Sequence, residues 1–363
     1  MGNCKGYVWY SAGSDPSGPA LAKALGFEAG KKTPNFTLFD VVIGFGCKAG
    51  TGYNKAIVDK QLAECSLRIL NGVEAVEDNR NKMFTLSTLA ESGVRVPSHL
   101  MREMYVDQQK FIDAVLEAMG HGTLQHPVMG MDKYNKGAPN FCYTPEDVVN
   151  LVSSGATLDY FRAYVPGEEY RIHVFRDMIL VAQKKVLVAD PIATTATNLC
   201  EKAIKVEQKA GRALTAPKEE LERMARIFAV EMLRAPSHVL KSVSRGWEFQ
   251  DEDVNTVPDA ILAIAVKAVE AARLDFGAVS ITRSPAGPVV TNIASAFMLT
   301  EQHLVPYIAA ITEFVEAGKM LAPKKVVAIP APTEQEVRAN IATTLANLPI
   351  EKVKHLGEML AKL

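Results

Sequence analysis

The stretch YVPGEEYRIHVFRDMILVAQKK at 164–185 holds the densest set of side chains able to handle an anion: Arg171, His173, Lys184 and Lys185. Tyr170, Ile172 and Val174 alternate with Arg171 and His173, so an extended chain turns apolar groups to one face and these two to the other. A guanidinium fork suits a phosphoryl group. His173 reads as a hydrogen-bonded structural histidine, and paired lysines at a strand end are ordinarily solvated. Lys+Arg 40 against Asp+Glu 41 gives a net charge of -1. No global positive field would therefore draw the chain onto nucleic acid or an anionic bilayer, and any phosphate must be held locally.

Other chemistries find less support. SAGSDPSGP at 11–19 is turn-forming and lacks the spacing of a phosphate loop. Cys4, Cys47, Cys65, Cys142 and Cys200 contain no CxxC pair and no histidine at zinc-site spacing, so a reducing compartment is expected, with neither disulfides nor structural zinc. The start MGNCKGYVWY has no basic region before a long apolar one, and Gly6 stands where a myristoylation signal has Ser or Thr. No export, anchor or membrane partner is expected, and a cytoplasmic location is. With 363 residues, 48% of them hydrophobic, the chain can bury more than one core.

The elements around these residues alternate. Tyr7–Tyr10 and Asp40–Phe45 read as strands flanking a helix at Ala20–Leu25, which gives a small α/β sheet. Met83, Leu86, Leu89 and Ala90 keep a helical period over 81–91, stopped by Gly93 and Pro97. A helix at Phe111–Met119, a short strand at Pro127–Met129 and a helix opened by Thr144-Pro145-Glu146 form the next unit. A hairpin turning at Arg176-Asp177 follows. Residues 198–234 are helical and highly charged, Ile261–Ala272 is a buried helix, LDFGAVSI and PVVTNIA are strands, and His303–Lys319 closes the core. From Pro330 two amphipathic helices are expected on Val337, Ile341 and Leu345, then Val353, Leu356 and Leu360.

Four strings in order, DNRNKMFTLSTLAESGVRVP at 78–97, the 164–185 stretch, SRGWEF at 244–249 and AVKAVEAARLDFGAVSITRS at 265–284, resemble the ATP-grasp superfamily. The likeness is strongest to phage-encoded homologues of carboxylate-amine ligases and spans about residues 1–320. It implies two α/β lobes with antiparallel sheets clasping ATP, preceded by a small Rossmann-like sheet domain and followed by a helical tail. The expected divisions are 1–77, 78–162 as small lobe, 163–323 as C-terminal lobe with a helical insertion at about 190–237, and 324–363. It also implies acyl-phosphate chemistry on a small-molecule carboxylate and an amine, with ATP and Mg²⁺ as cofactors. By that resemblance Lys82 reaches a phosphate, Arg171 contacts the transferred phosphoryl group, and Lys184 or Lys185 supplies a further cation. Arg162, Tyr164 and Val165 lie on a hinge whose backbone reads the base, and Asn292 touches the metal. Trp247 and Phe249 are expected to be packing residues.

The sequence departs from that pattern in the middle lobe and at the metal. Met131 stands where a Lys or Arg is expected; of the glycine-rich lid only Gly137 is kept, with Lys133 or Lys136 as substitutes. Ser280 and Val290 replace the acidic metal ligands, no Asp or Glu occurs at 276–300, and Asp275 reads as a support for the strand end. Two expectations follow: a ligase with a depleted metal site, or a catalytically inactive homologue serving as a phage structural or interaction protein. The second would bring homo-oligomeric or phage-protein partners and a place in the host cytoplasm or the virion.

Overall fold

The computed structural model describes residues 4–11, 16–49, 53–64, 68–122, 124, 127–134, 140–156, 158–211, 217–234, 241 and 246–317. The expected C-terminal helices, Cys65, Lys136 and Gly137 lie outside these residues. The first sheet is parallel, with β1 (Gly6–Tyr10), β2 (Glu28–Gly30), β3 (Val41–Phe45) and β4 (Arg68–Leu70) in the order β2-β1-β3-β4. β3 reads VVIGF and is buried at every position, as a central parallel strand covered on both faces must be. The helices α1 (Ser17–Leu25), α2 (Lys55–Glu64) and α3 (Val73–Arg80) accompany it. Gly44 on β3 is needed for close approach, because a Cβ there would strike the Asn71 carbonyl.

The second unit contains α4 (Lys82–Glu91), β5 (His99–Met101), α5 (Gln108–Gly120), β6 (Val128–Met131), β7 (Asn140–Cys142), α6 (Pro145–Ser153) and β8 (Tyr160–Ala163). Its strands form an antiparallel sheet in the order β5-β8-β6-β7. Phe111, Val115 and Met119, one stripe of α5, pack with Val128 and Phe161 of the sheet. α6 starts where Thr144 accepts the Asp147 N–H and the Asp147 carboxylate accepts the Thr144 N–H, a reciprocal cap.

The third unit carries β9 (Glu168–Phe175), β10 (Met178–Leu187), α7 (Pro191–Lys209), α8 (Lys218–Arg234), β11 (Trp247–Glu252), α9 (Asp259–Ala271), β12 (Phe276–Ser284), β13 (Gly287–Ala294) and α10 (Glu301–Ala317). The five strands pair antiparallel as β11-β10-β9-β12-β13. Tyr170, Ile172 and Val174 face α9, packing with Ile261, Ile264 and Val269. Phe175 and Phe276 on the other face meet Tyr307 and Phe314 of α10 and residues of the parallel sheet. The run expected as one helical stretch is two helices whose packed apolar cluster consists of α7 and α8 residues alone. Asn71 joins the first sheet to the third: it accepts from the N–H groups of Asp275 and Phe276 and donates to the Phe276 carbonyl.

Candidate functional site

Arg171 on β9 lies opposite Gln183 on β10 and Ser280 on β12, and Ser280 lies opposite Asn292 on β13. Directly paired residues share a face, so Arg171, Ser280 and Asn292 form a row on the side away from α9. Beyond Ser280 the β12–β13 register slips: Ile281 faces Val290, and Thr291 is the extra residue of a bulge. A bulge re-aims backbone groups. Here the Thr291 carbonyl takes a hydrogen bond from Arg162 Nη1 at 2.8 Å, while the Ile293 carbonyl accepts from Lys82 Nζ at 2.6 Å and from Asn79 Nδ2 at 3.3 Å. Two cations from the second unit thus grip one strand of the third.

Among the described residues neither Lys82 nor Arg162 has a carboxylate salt-bridge partner. Burial, helped by Arg162 and Arg80, pushes the Lys82 ammonium down to about 8. Burial also lowers the Arg162 guanidinium. Arg162 Nε and Asn292 Oδ1 are buried with no hydrogen-bond partner. Isolated buried charge is costly and favours an incoming counter-charge.

Two cavities flank this grip. The smaller, about 140 Å³, is lined by Met129, the run Arg162–Val165, Glu169, Lys185 and Thr282. The larger, about 730 Å³, is bounded by Lys82, Asn292 and Ala294 on one side and by Ser11, Gly46 and Lys48 on the other. Ser11 follows β1, and Gly46 and Lys48 follow β3. Sheet order diverges between those two strands, and the crevice outside the carboxyl ends at such a switch is where open α/β sheets bind ligands.

The residues singled out in the sequence separate into three environments. Lys82, Arg162, Tyr164, Val165, Lys185 and Asn292 line the two cavities. Arg171 lines neither: its guanidinium carbon lies 4.0 Å from the centre of the Phe249 ring, which Lys185 also approaches at 5.0 Å. Phe249 is therefore a platform for two cations rather than mere packing, and Trp247 carries Lys241 in the same way at 5.1 Å. Lys184 takes the opposite face, paired with Tyr170 and bonded to Glu168 at 2.6 Å, which removes it from the cleft. Met131 is buried, with its sulfur accepting from the Tyr160 hydroxyl. Lys133 gives its carbonyl to the Lys82 N–H at 2.7 Å and holds its ammonium 5.2 Å from the Tyr134 ring. Asp275 supports the strand end, bridging Arg176 at 3.0 Å and accepting the Asn71 N–H.

His173 is buried against Phe297, Tyr307 and His303, and desolvation, with the nearby charges of His303 and Arg171, lowers it to about 3. Sequence reasoning missed the Arg162 side chain, taken only as part of a backbone hinge, and missed Lys48, Glu77, Asn79 and Arg80. The polar run DNRNK offered a signal for Asn79 and Arg80; nothing local pointed to Lys48.

Among the described residues no helix is long and apolar enough to cross a membrane, and no group of three or more His, Cys, Asp or Glu side chains could hold a metal ion. No family model and no curated protein matches the sequence. Solved structures do match. The ATP-grasp ligase PsnB, complexed with a phosphomimetic variant of its minimal precursor, Mg and ADP, is 12% identical with TM-score 0.52 and covers 87% of this chain and 99% of its own. PsnB complexed with the precursor peptide PsnA2 and AMPPNP is 12% identical with TM-score 0.52, over 86% and 98%. D-alanine–D-alanine ligase from Bacillus anthracis complexed with ATP is 11% identical with TM-score 0.50, over 87% and 100%. At such low identity the likeness speaks for architecture, and it agrees with the two antiparallel sheets, the parallel sheet before them and the cleft between: the chain has the ATP-grasp fold.

Proposed function

We propose that the protein is an ATP-dependent carboxylate-amine ligase whose nucleotide lies along Arg162–Val165, base in the smaller cavity and phosphates directed past Lys185, Arg162 and Lys82 toward the larger one. The observation that carries this reading is the convergence of Lys82 and Arg162, part-buried cations without a carboxylate salt bridge among the described residues, on the Thr291 and Ile293 carbonyls. A polyphosphate would offset their charge better than backbone dipoles do. PsnB, complexed with Mg and ADP, and D-alanine–D-alanine ligase, complexed with ATP, share the fold and support a nucleotide as the ligand.

In the reaction, a carboxylate oxygen of the acid attacks the γ-phosphorus, and the bond to the β–γ bridging oxygen breaks. ADP leaves with that electron pair. The acyl phosphate is then attacked by an amine, which gives up a proton as phosphate departs. Lys82 and Arg162 stabilise charge gathering on the leaving ADP, and Arg171, pre-positioned on Phe249, steadies the phosphoryl group in flight.

We read the magnesium site as depleted. Ser280 pairs with Asn292 where a carboxylate is expected, Val290 pairs with Ile281 and is buried in the core against α9 rather than on the Asn292 face, and Glu77, a carboxylate lining the larger cavity, accepts the Ala49 N–H at 2.9 Å. The unpartnered Asn292 oxygen is a hard donor, but this set does not fit a magnesium cage. Those same replacements favour a second reading, a non-catalytic homologue acting as a phage structural or interaction protein; the exposed Val206, Ile227 and Phe228 on the α7–α8 hairpin suit partner contacts. Titration with Mg·ATP followed by ADP assay with acids and amines separates the two. The ligase reading expects binding lost in Lys82→Ala and ADP release lost in Arg171→Ala. Binding without ADP release supports the second, and absence of nucleotide binding ends the first.

A further inference from the structure

We infer that the larger cavity selects a polyanionic acid, one carrying a second carboxylate or a phosphate besides the carboxylate to be activated. The activation step rests on the ligase reading; the binding does not. Lys48, Arg80 and Lys82 line this cavity against one carboxylate among its lining residues, Glu77. Lys82 is engaged by the Ile293 carbonyl.

Lys48 and Arg80 have no such engagement: among the described residues neither side chain makes a hydrogen bond or an ion pair. Glu77 stands three residues before Arg80 on α3, a spacing at which opposite charges ordinarily pair. Glu77 instead accepts the Ala49 N–H, immediately after Lys48, so the carboxylate that would neutralise Arg80 is held by the loop that carries Lys48. Two cations from different elements are thereby left facing one space, and Lys133 adds a further ammonium over Tyr134, which also lines it. A monocarboxylate can pair with one of them and leaves the other without a counter-charge. A dianion satisfies both, and the guanidinium of Arg80 suits either a carboxylate or a phosphate as a bidentate partner.

Calorimetric titration of the full-length chain, without nucleotide, with acetate, glutarate and phosphoglycolate tests this. Glutarate or phosphoglycolate is expected to bind one per chain, with acetate at least about tenfold weaker. Arg80→Gln and Lys48→Gln should each weaken the dianion by about tenfold or more, and Arg80→Lys by less than Arg80→Gln. Thermal melts of the variants confirm that they fold. Acetate binding as tightly as the dianions, failure of both dianions to bind, or indifference to both substitutions overturns the inference. Dianion binding with no ADP release under any acid leaves the polyanion site standing and removes the ligase reading. ADP release driven equally by acetate removes the inference and keeps that reading.

Discussion

At the scale of single residues, the distinctive feature is the part-buried Lys82 ammonium, which has no carboxylate salt bridge among the described residues. Lys82 gives up its proton near pH 8 when its neighbours are Arg162, Arg80 and a carbonyl, whereas an ordinary lysine holds it past 10. An anion in the cleft favours the ammonium. If phosphates bind there, the Kd for ATP should rise as pH passes 8, by up to about tenfold per pH unit, and Lys82→Gln should flatten that profile. Calorimetry from pH 7 to 9.5 checks this, and a flat wild-type profile removes Lys82 from the phosphate site. His173 titrates in the opposite part of the scale. Its folded value, about 3, lies below the unfolded 6.5, so the stability it lends as a neutral ring is complete above pH 6.5 and drains as pH falls toward 3. Unfolding free energies from urea titrations at pH 7 and pH 5 should differ by about 2 kcal/mol more in the wild type than in His173→Gln.

At the scale of elements, local signals and cross-strand pairing contribute differently. The helix α6 was legible from Thr144-Pro145-Glu146 because a cap is a contact within four residues, and Thr144→Ala should cost about 1 kcal/mol in chemical denaturation. The alternation that set Arg171 against Tyr170 and Ile172 was equally legible, since strand side chains alternate whatever the sheet does. Which lysine enters the cleft was not. Counting back from the Met178–Phe175 pair, an unbroken ladder would set Lys184 opposite Glu169 on the Arg171 face. The slip between Ile179 and Val181 shifts the register by one residue, so Lys184 meets Tyr170 and Lys185 meets Glu169. A bulge exchanges the two faces of everything beyond it.

At the scale of the whole molecule, the parallel sheet and the five-stranded sheet are joined through Asn71, fully buried in a left-handed conformation with φ 55. Its side chain satisfies three backbone groups of Asp275 and Phe276, and Asn71→Ala would leave them unpaired. A loss of at least about 2 kcal/mol is expected, read by urea unfolding followed by circular dichroism. A change below about 0.5 kcal/mol would show that the Asn71 side chain does not hold the two sheets together. Most of the order of strands and helices, the apolar face of β9, the absence of Asp and Glu from 276–300 and the likeness to ATP-grasp proteins were legible in the amino-acid string, because each depends on residue identity or on contacts within a few positions. The pairing of Arg162 with Thr291, the choice of Lys185 over Lys184, and the meeting of Lys48 with Arg80 across one cavity were decided by the folded chain. They depend on which carbonyls a bulge exposes and on which distant loops a sheet brings together, and neither is encoded at the positions concerned.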